Sequence, residues 1–149
     1  MIVREIMTDN PACCGPDTPL PEVARLMVDC NCGEIPVVDG EFGVVIGVVT
    51  DRDITCRVVA SGRNPIEMTA SDCMSTPVTT VAPDASVDDC CHVMEINQVR
   101  RLPVIDSRGV CCGIVSQADI ARQASPRQTA HVVKDISRPT DSPSAVRLH

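Results

Sequence analysis

Two short stretches of this chain carry one chemistry-bearing pattern. Gly47-Val-Val-Thr50-Asp-Arg-Asp53 and Gly113-Ile-Val-Ser116-Gln-Ala-Asp119 both read Gly-x-x-Thr/Ser-x-x-Asp. In each, a Val/Ile-rich run ends at a hydroxyl residue and a helix-forming stretch follows. A hydroxyl at such a corner sits near backbone N–H groups that have no helical partner, a setting that favours a phosphate. One helical turn later, an acidic side chain can face the same side. A carboxylate can accept from both hydroxyls of a ribose, so the pair suits a sugar phosphate. The same spacing is also that of a capping box, in which each side chain bonds the other's backbone N–H. The two uses are compatible.

These corners belong to a duplication. At a shift of 67 residues, Met7 falls on Met74, Pro16-Asp17 on Pro83-Asp84, Met27 on Met94, Pro36-Val37 on Pro103-Val104, and Asp39 on Asp106. One residue is lost in a turn, and at a shift of 66 Gly43 meets Gly109, Gly47 meets Gly113 and Asp53-Ile54 meets Asp119-Ile120. Each copy has the same elements. Leu20, Val23, Ala24 and Met27 form the apolar stripe of an amphipathic helix, repeated by Val87, Cys90, Cys91 and Met94. Thr18 is the expected N-cap of the first helix, with Pro19 at its first position. Ile35–Val38 and Val44–Val49 make a hairpin, as do Leu102–Ile105 and Val110–Val115. Closing helices are expected over Asp51–Ala60 and Gln117–Ala124. The predicted fold class is α/β (α+β): two tandem β-α-β-β-α repeats. They span residues 1–62 and 70–125, with a polar linker at 63–69. A C-terminal helix (Pro126–Ser137) and a Pro/Ser-rich tail, expected to be mobile, fill 126–149.

Composition limits the function classes. The 149 residues carry a net charge of −7 with a single Lys, one Phe, no Trp and no Tyr. Duplex binding needs clustered basic residues, and single-strand binding adds aromatic platforms, so nucleic acid is excluded as an expected partner. There is no run of 18 apolar residues and no signal-peptide pattern, which points to a soluble cytoplasmic protein with no membrane partner. The ten cysteines form no CxxC pair, and His92, His131 and His149 are not spaced to complete a zinc site, so no metal site is expected. The duplication explains most of the cysteines. Cys73, Cys90, Cys91, Cys111 and Cys112 stand where the first copy has Ile6, Val23, Ala24, Val45 and Ile46, while Cys14 and Cys32 match Val81 and Val99. They are expected to act as small core hydrophobes. Cys30 and Cys56 match polar residues and are the candidates for an exposed, reactive thiol, with Cys30/Cys32 as a weak CxC redox pair. Catalysis has no support: there is no nucleophile–base–acid set and no GxxxxGK[ST] loop.

Ile6-Met7-Thr8 and Cys73-Met74-Ser75, Glu34-Ile-Pro-Val-Val-Asp39 and Arg101-Leu-Pro-Val-Ile-Asp106, and the two Gly-x-x-Thr/Ser-x-x-Asp-Ile segments resemble CBS domains. The pair resembles a Bateman module with pseudo-two-fold packing. Asn97–Arg122 is especially similar to small stand-alone CBS-pair proteins of the bacterial hypoxic-response type. The resemblance implies a regulatory sensor that binds an adenine nucleotide in the cleft between repeats. AMP leads the candidates, followed by ADP, ATP, NAD and S-adenosylmethionine. There would be no catalytic cofactor, a homodimer would form, and an unidentified regulated protein is a further expected partner. It assigns Asp53 and Asp119 to ribose, and Thr50 and Ser116 to the ribose–phosphate region. The site owned by Asp119 would gather Gly33, Glu34, Arg100, Arg101, Ile114 and Ser116, the two arginines pairing with a monophosphate by forked bonds. The site owned by Asp53 has Glu34 where the other has Arg101, and would bind more weakly unless Arg52 or the other copy's arginines compensate. Ile35, Val48, Leu102 and Ile114 are the candidate walls for adenine, although side chains of this kind also serve as plain core. The competing reading is a CBS-pair scaffold with empty clefts.

Overall fold

The computed structural model describes residues 1–123 and 126–138, and the expected mobile tail lies outside that range. The chain divides into two compact units whose boundaries do not follow the repeats. Among the described residues, one joins Met1–Pro11 to those between 79 and 138, and the other is Ala12–Val78. The first residues of the chain are thus part of the unit built mainly from the second repeat.

In the Ala12–Val78 unit, helix α1 (Leu20–Cys30) leads to strands β2 (Glu34–Val38) and β3 (Val45–Thr50), paired antiparallel with Glu34 opposite Thr50. Helix α2 (Asp51–Asp53) opens as an α turn and widens into a π-helical stretch, Ile54–Val59, where a plain helix was expected. Helix α3 (Ala70–Cys73) follows, and beyond it Ser75 bridges Val48 at the free side of β3. Leu20, Val23, Ile35, Val37, Val49 and Val58 fill the core. The cap of α1 departs from expectation. The helix starts at Leu20, one residue later than predicted, and the Thr18 hydroxyl oxygen instead accepts from the Gly15 N–H at 2.9 Å. The hydroxyl therefore closes the turn before the helix and does not cap the helix itself.

The other unit repeats the plan. Strand β1 (Thr8–Asp9), helix α4 (Val87–Asn97), strands β4 (Arg101–Ile105) and β5 (Cys111–Ser116), and helix α5 (Gln117–Gln123) form it, with helix α6 (Pro126–Ile136) added. The sheet order is β1-β5-β4, all antiparallel. Its core contains Val3, Cys90, Met94, Leu102, Val104, Val115 and Ile120, joined by Val132 and Ile136 of α6. Burying each large aliphatic side chain contributes roughly 1.5–3 kcal/mol. Helices α1 and α4 both end at a residue with positive φ, Asn31 (49°) and Gln98 (53°), the left-handed cap that frees the chain to turn into the next strand.

One paired contact explains two glycines and two methionines of the repeat. A methyl at Gly113 would stand 2.5 Å from Met7 Sδ and 3.0 Å from the Thr8 carbonyl oxygen, and one at Gly47 would stand 2.6 Å from Met74 Sδ. Each lead-in segment lies so close on the last strand of its unit that any side chain there would have to push the methionine aside.

Candidate functional site

Each corner is built by a short hairpin that delivers its last residue to the start of a helix. In the unit holding the second corner, Ser116 is the final residue of β5, and Arg101 is its direct partner on β4. Directly opposed residues of an antiparallel pair project to the same face, so Arg101 and Ser116 share one side of the sheet. The Gln117 N–H donates to the Arg100 carbonyl at 2.8 Å, which fixes the turn into α5. The Asp119 N–H donates to Ser116 Oγ at 3.1 Å, while the Ser116 N–H and Oγ–H donate to Asp119 Oδ2 at 2.8 and 2.9 Å. Arg122, one turn further along, holds Asp119 Oδ1 at 2.5 Å. Asp119 is buried, Ser116, Arg101 and Ile114 are half-buried, and Arg100 is exposed.

The first corner repeats this frame with different neighbours. The Thr50 N–H donates to Asp53 Oδ2 at 3.0 Å and the Asp53 N–H to Thr50 Oγ1 at 2.9 Å. The Asp51 N–H donates to the Gly33 carbonyl at 3.0 Å, the counterpart of Gln117 and Arg100. Buried Asp53 also receives the Ser75 hydroxyl, 3.3 Å from both carboxylate oxygens, and Arg57 Nε lies 3.7 Å from Oδ1. Arg57 is anchored in turn on the carbonyls of Cys73 and Met74, both at 3.2 Å. Glu34, the residue opposite Thr50, is buried, Gly33 is buried, Val48 is half-buried and Arg52 is exposed.

Both capping boxes that the spacing allowed are therefore formed. Within single units, the fold gathers Arg100, Arg101, Ile114, Ser116 and Asp119 at one corner, and Gly33, Glu34, Val48, Thr50, Arg52 and Asp53 at the other. Two candidate adenine walls are corrected: Ile35 and Leu102 have no exposed surface and are core side chains, as inward residues of β2 and β4 must be. Sequence reading missed Arg57, Arg122 and Ser75 as partners of the aspartates. The arginines were legible as i,i+4 and i,i+3 neighbours on a helix, whereas nothing local marked Ser75.

None of the ten cysteines is in a disulfide. Cys14, Cys73, Cys90 and Cys91 are buried as expected, and burial pushes their thiols up, to about 12 at Cys90 and about 11 at the other three. A thiol so rarely ionised is a poor nucleophile. Cys32, Cys111 and Cys112 are half-buried, and Cys32 and Cys112 pack against the cores of their units. Cys30 is exposed and Cys56 half-buried. No helix among the described residues is long and apolar enough to cross a membrane.

Two α/β units with one hairpin plan and one capped corner define a tandem-repeat protein. The CBS-domain family model matches residues 3–59 and 70–125, and the chain belongs to that family. The CBS domain-containing protein YhcV of Bacillus subtilis is 38% identical over 136 residues, spanning 91% of this chain and 94% of its own. Hypoxic response protein 1 of Mycobacterium tuberculosis is 35% identical over the same shares. A crystal structure of Hypoxic Response Protein I with two coordinated zinc ions superposes with a TM-score of 0.75 at 34% identity, covering 84% of this chain and all of that one. The CBS pair of protein MJ0100, solved with 5′-methylthioadenosine and S-adenosyl-L-methionine, gives a TM-score of 0.74 at 27% identity over 82% of this chain and 94% of its own. The fold is that of a CBS pair.

Proposed function

We propose that this chain is a cytoplasmic regulatory module that binds an adenine nucleotide, AMP foremost, and passes the bound state to a partner protein as a change of shape. ADP, ATP, NAD and S-adenosylmethionine are the alternative ligands. The observation that carries this reading is the cation, hydroxyl and carboxylate set at one corner: Arg101 opposite Ser116, with buried Asp119 a turn away. Asp119 is the ribose acceptor, Ser116 the ribose–phosphate contact, Arg100 and Arg101 the phosphate clamp, and Ile114 an adenine wall. Arg122, itself exposed although Asp119 is buried, is the contact that a ribose displaces. Adenosyl ligands in the MJ0100 pair support the ligand class. The corner of Thr50 and Asp53, with Val48, Arg52, Gly33 and Glu34, is the weaker site, because Asp53 is already bonded to Ser75 and Arg57 and Glu34 repels phosphate. The module catalyses nothing, carries no catalytic cofactor and acts as a homodimer.

A thermal-shift panel of the five ligands tests the proposal. A ligand at 100 times its Kd adds about 2.7 kcal/mol, a rise of roughly 5–10 °C for a chain of this size. A flat response to all five leaves the second reading, a CBS-pair scaffold with empty clefts. The completed hydrogen bonds around Asp53 already favour that reading at the first corner. Sedimentation returning a monomer overturns the dimer.

A further inference from the structure

Helix α6 lies beyond the residues matched by the family model, which end at 125. Its apolar face, Val132 and Ile136, enters the core of its unit, where it packs on α4 and α5. Beside that face, His131 and Asp135 stand at i and i+4, and Glu95 of α4 meets them. His131 Nε2 lies 3.1 Å from Asp135 Oδ2 and 3.4 Å from Glu95 Oε1. The three donor atoms all fall within 4.8 Å of one another. We propose that these three side chains hold a divalent transition-metal ion, zinc being the probe, which fastens α6 to α4.

The distances suit that use. With metal–ligand bonds of about 2.0–2.2 Å, the donor atoms of a tetrahedral site stand about 3.4 Å apart. Both measured separations are close to that edge, so an ion needs only a small opening of the cluster. Charge points the same way. The Glu95 and Asp135 side chains are only 17% and 11% exposed, yet both are aimed at one imidazole nitrogen. A neutral imidazole carries a single N–H and satisfies at most one of them, whereas a divalent cation balances both. Arg138 holds the other Asp135 oxygen at 2.7 Å, orienting Oδ2 toward the cluster as outer partners of metal ligands do. A hollow of about 220 Å3, lined by Asp88, Cys91, His92, Glu95, His131 and Val132, opens beside two of the three donors. It leaves room for water or His92, one turn before Glu95, to complete the coordination. An N/O donor set of this kind suits zinc and its first-row neighbours.

The experiment uses the full chain, stripped with chelator and titrated with zinc or cobalt alone. The cysteines compete for either ion, so the readouts must separate them. One equivalent of cobalt should give visible d–d bands without a thiolate charge-transfer band. His131→Ala, at a side chain 66% exposed and therefore safe for folding, should weaken zinc by at least the roughly 10- to 100-fold that loss of a mere outer partner costs. Glu95→Gln should do the same, and Cys30→Ser should change nothing. Zinc should slow amide exchange across Pro126–Ile136 in the unsubstituted chain but not in His131→Ala. A thiolate band, undiminished zinc affinity in both ligand variants, or unchanged exchange in α6 overturns the proposal, and the cluster is then only an ion pair between helices.

Discussion

Asp119→Asn separates the two jobs proposed for one carboxylate. In the native corner, Asp119 Oδ2 takes the Ser116 N–H and Oγ–H, and Oδ1 takes Arg122. The amide keeps one oxygen for Ser116 but turns the second acceptor into a donor facing Arg122. A weakened cap costs about 1–2 kcal/mol, which is roughly 2–8 °C in Tm. The binding loss is larger. A ribose presents two hydroxyl donors, and each bond to a charged acceptor is worth about 1.5–3 kcal/mol. Losing one of them weakens AMP between roughly 10- and 150-fold. Calorimetry with AMP and a melting curve on the same samples give both numbers. Arg122→Ala is the companion: it removes the partner that a ribose would have to displace, so AMP should bind as well as before or better. If Asp119→Asn lowers Tm yet holds AMP within twofold of the native chain, the carboxylate is a cap and nothing more, and the ribose assignment falls.

Gly113→Ala should destabilise by about 1–3 kcal/mol, because its methyl meets Met7 Sδ at 2.5 Å and the Thr8 carbonyl at 3.0 Å. Adding Met7→Ala should recover part of that loss in a double-mutant cycle, and strict additivity of the two changes would show that the contact is absent. Ser75→Ala should cost about 1 kcal/mol by denaturant melts, against little for the exposed Thr8→Ala, since Ser75 but not Thr8 donates to its unit's aspartate. Equal losses would contradict this. Stability should also fall above about pH 9. The thiols of Cys14, Cys73, Cys90 and Cys91 have folded values raised to about 11–12, so their contribution is complete below the unfolded thiol value and is lost as pH climbs through the folded one. With one Lys and no Tyr, thiols dominate the titration there, and these four are the most strongly shifted of them. Cys90→Val, the residue of the other repeat, should flatten the fall in Tm between pH 8 and 10.5, and an unchanged slope would refute the assignment.

The duplication made most of the fold legible, because two imperfect copies mark the positions where packing tolerates only certain types. Val23 and Cys90, or Val49 and Val115, are buried at matching places for that reason. The capping boxes were legible as well, since their partners are three residues apart. The exchange of lead-in segments was not. Thr8 pairs with β5, far along the chain, and Ser75 bridges β3, and neither contact leaves a local periodicity. The same holds for the meeting of His131 with Glu95, although Asp135 stands a legible four residues from His131 on one helix. Only the docking of α6 through Val132 and Ile136 brings it to Glu95.

The two corners share one motif but not one set of neighbours. Thr50/Asp53 and Ser116/Asp119 share one backbone solution, and their internal bonds agree within a few tenths of an ångström. What differs lies one strand or one helical turn away. Arg101 stands opposite Ser116, where Glu34 stands opposite Thr50. Asp119 is tied to an exposed arginine, while Asp53 is tied to Ser75 and to an arginine itself pinned on two carbonyls. A phosphate approaching the first corner meets a carboxylate, and a ribose there must break bonds between half-buried groups. In the proposed reading, a ligand at the second corner meets the Arg101 cation and displaces the single arginine, Arg122, from buried Asp119. Duplication copied the cap, and the proposed difference in binding rests on the divergence at positions 34, 57, 75, 101 and 122.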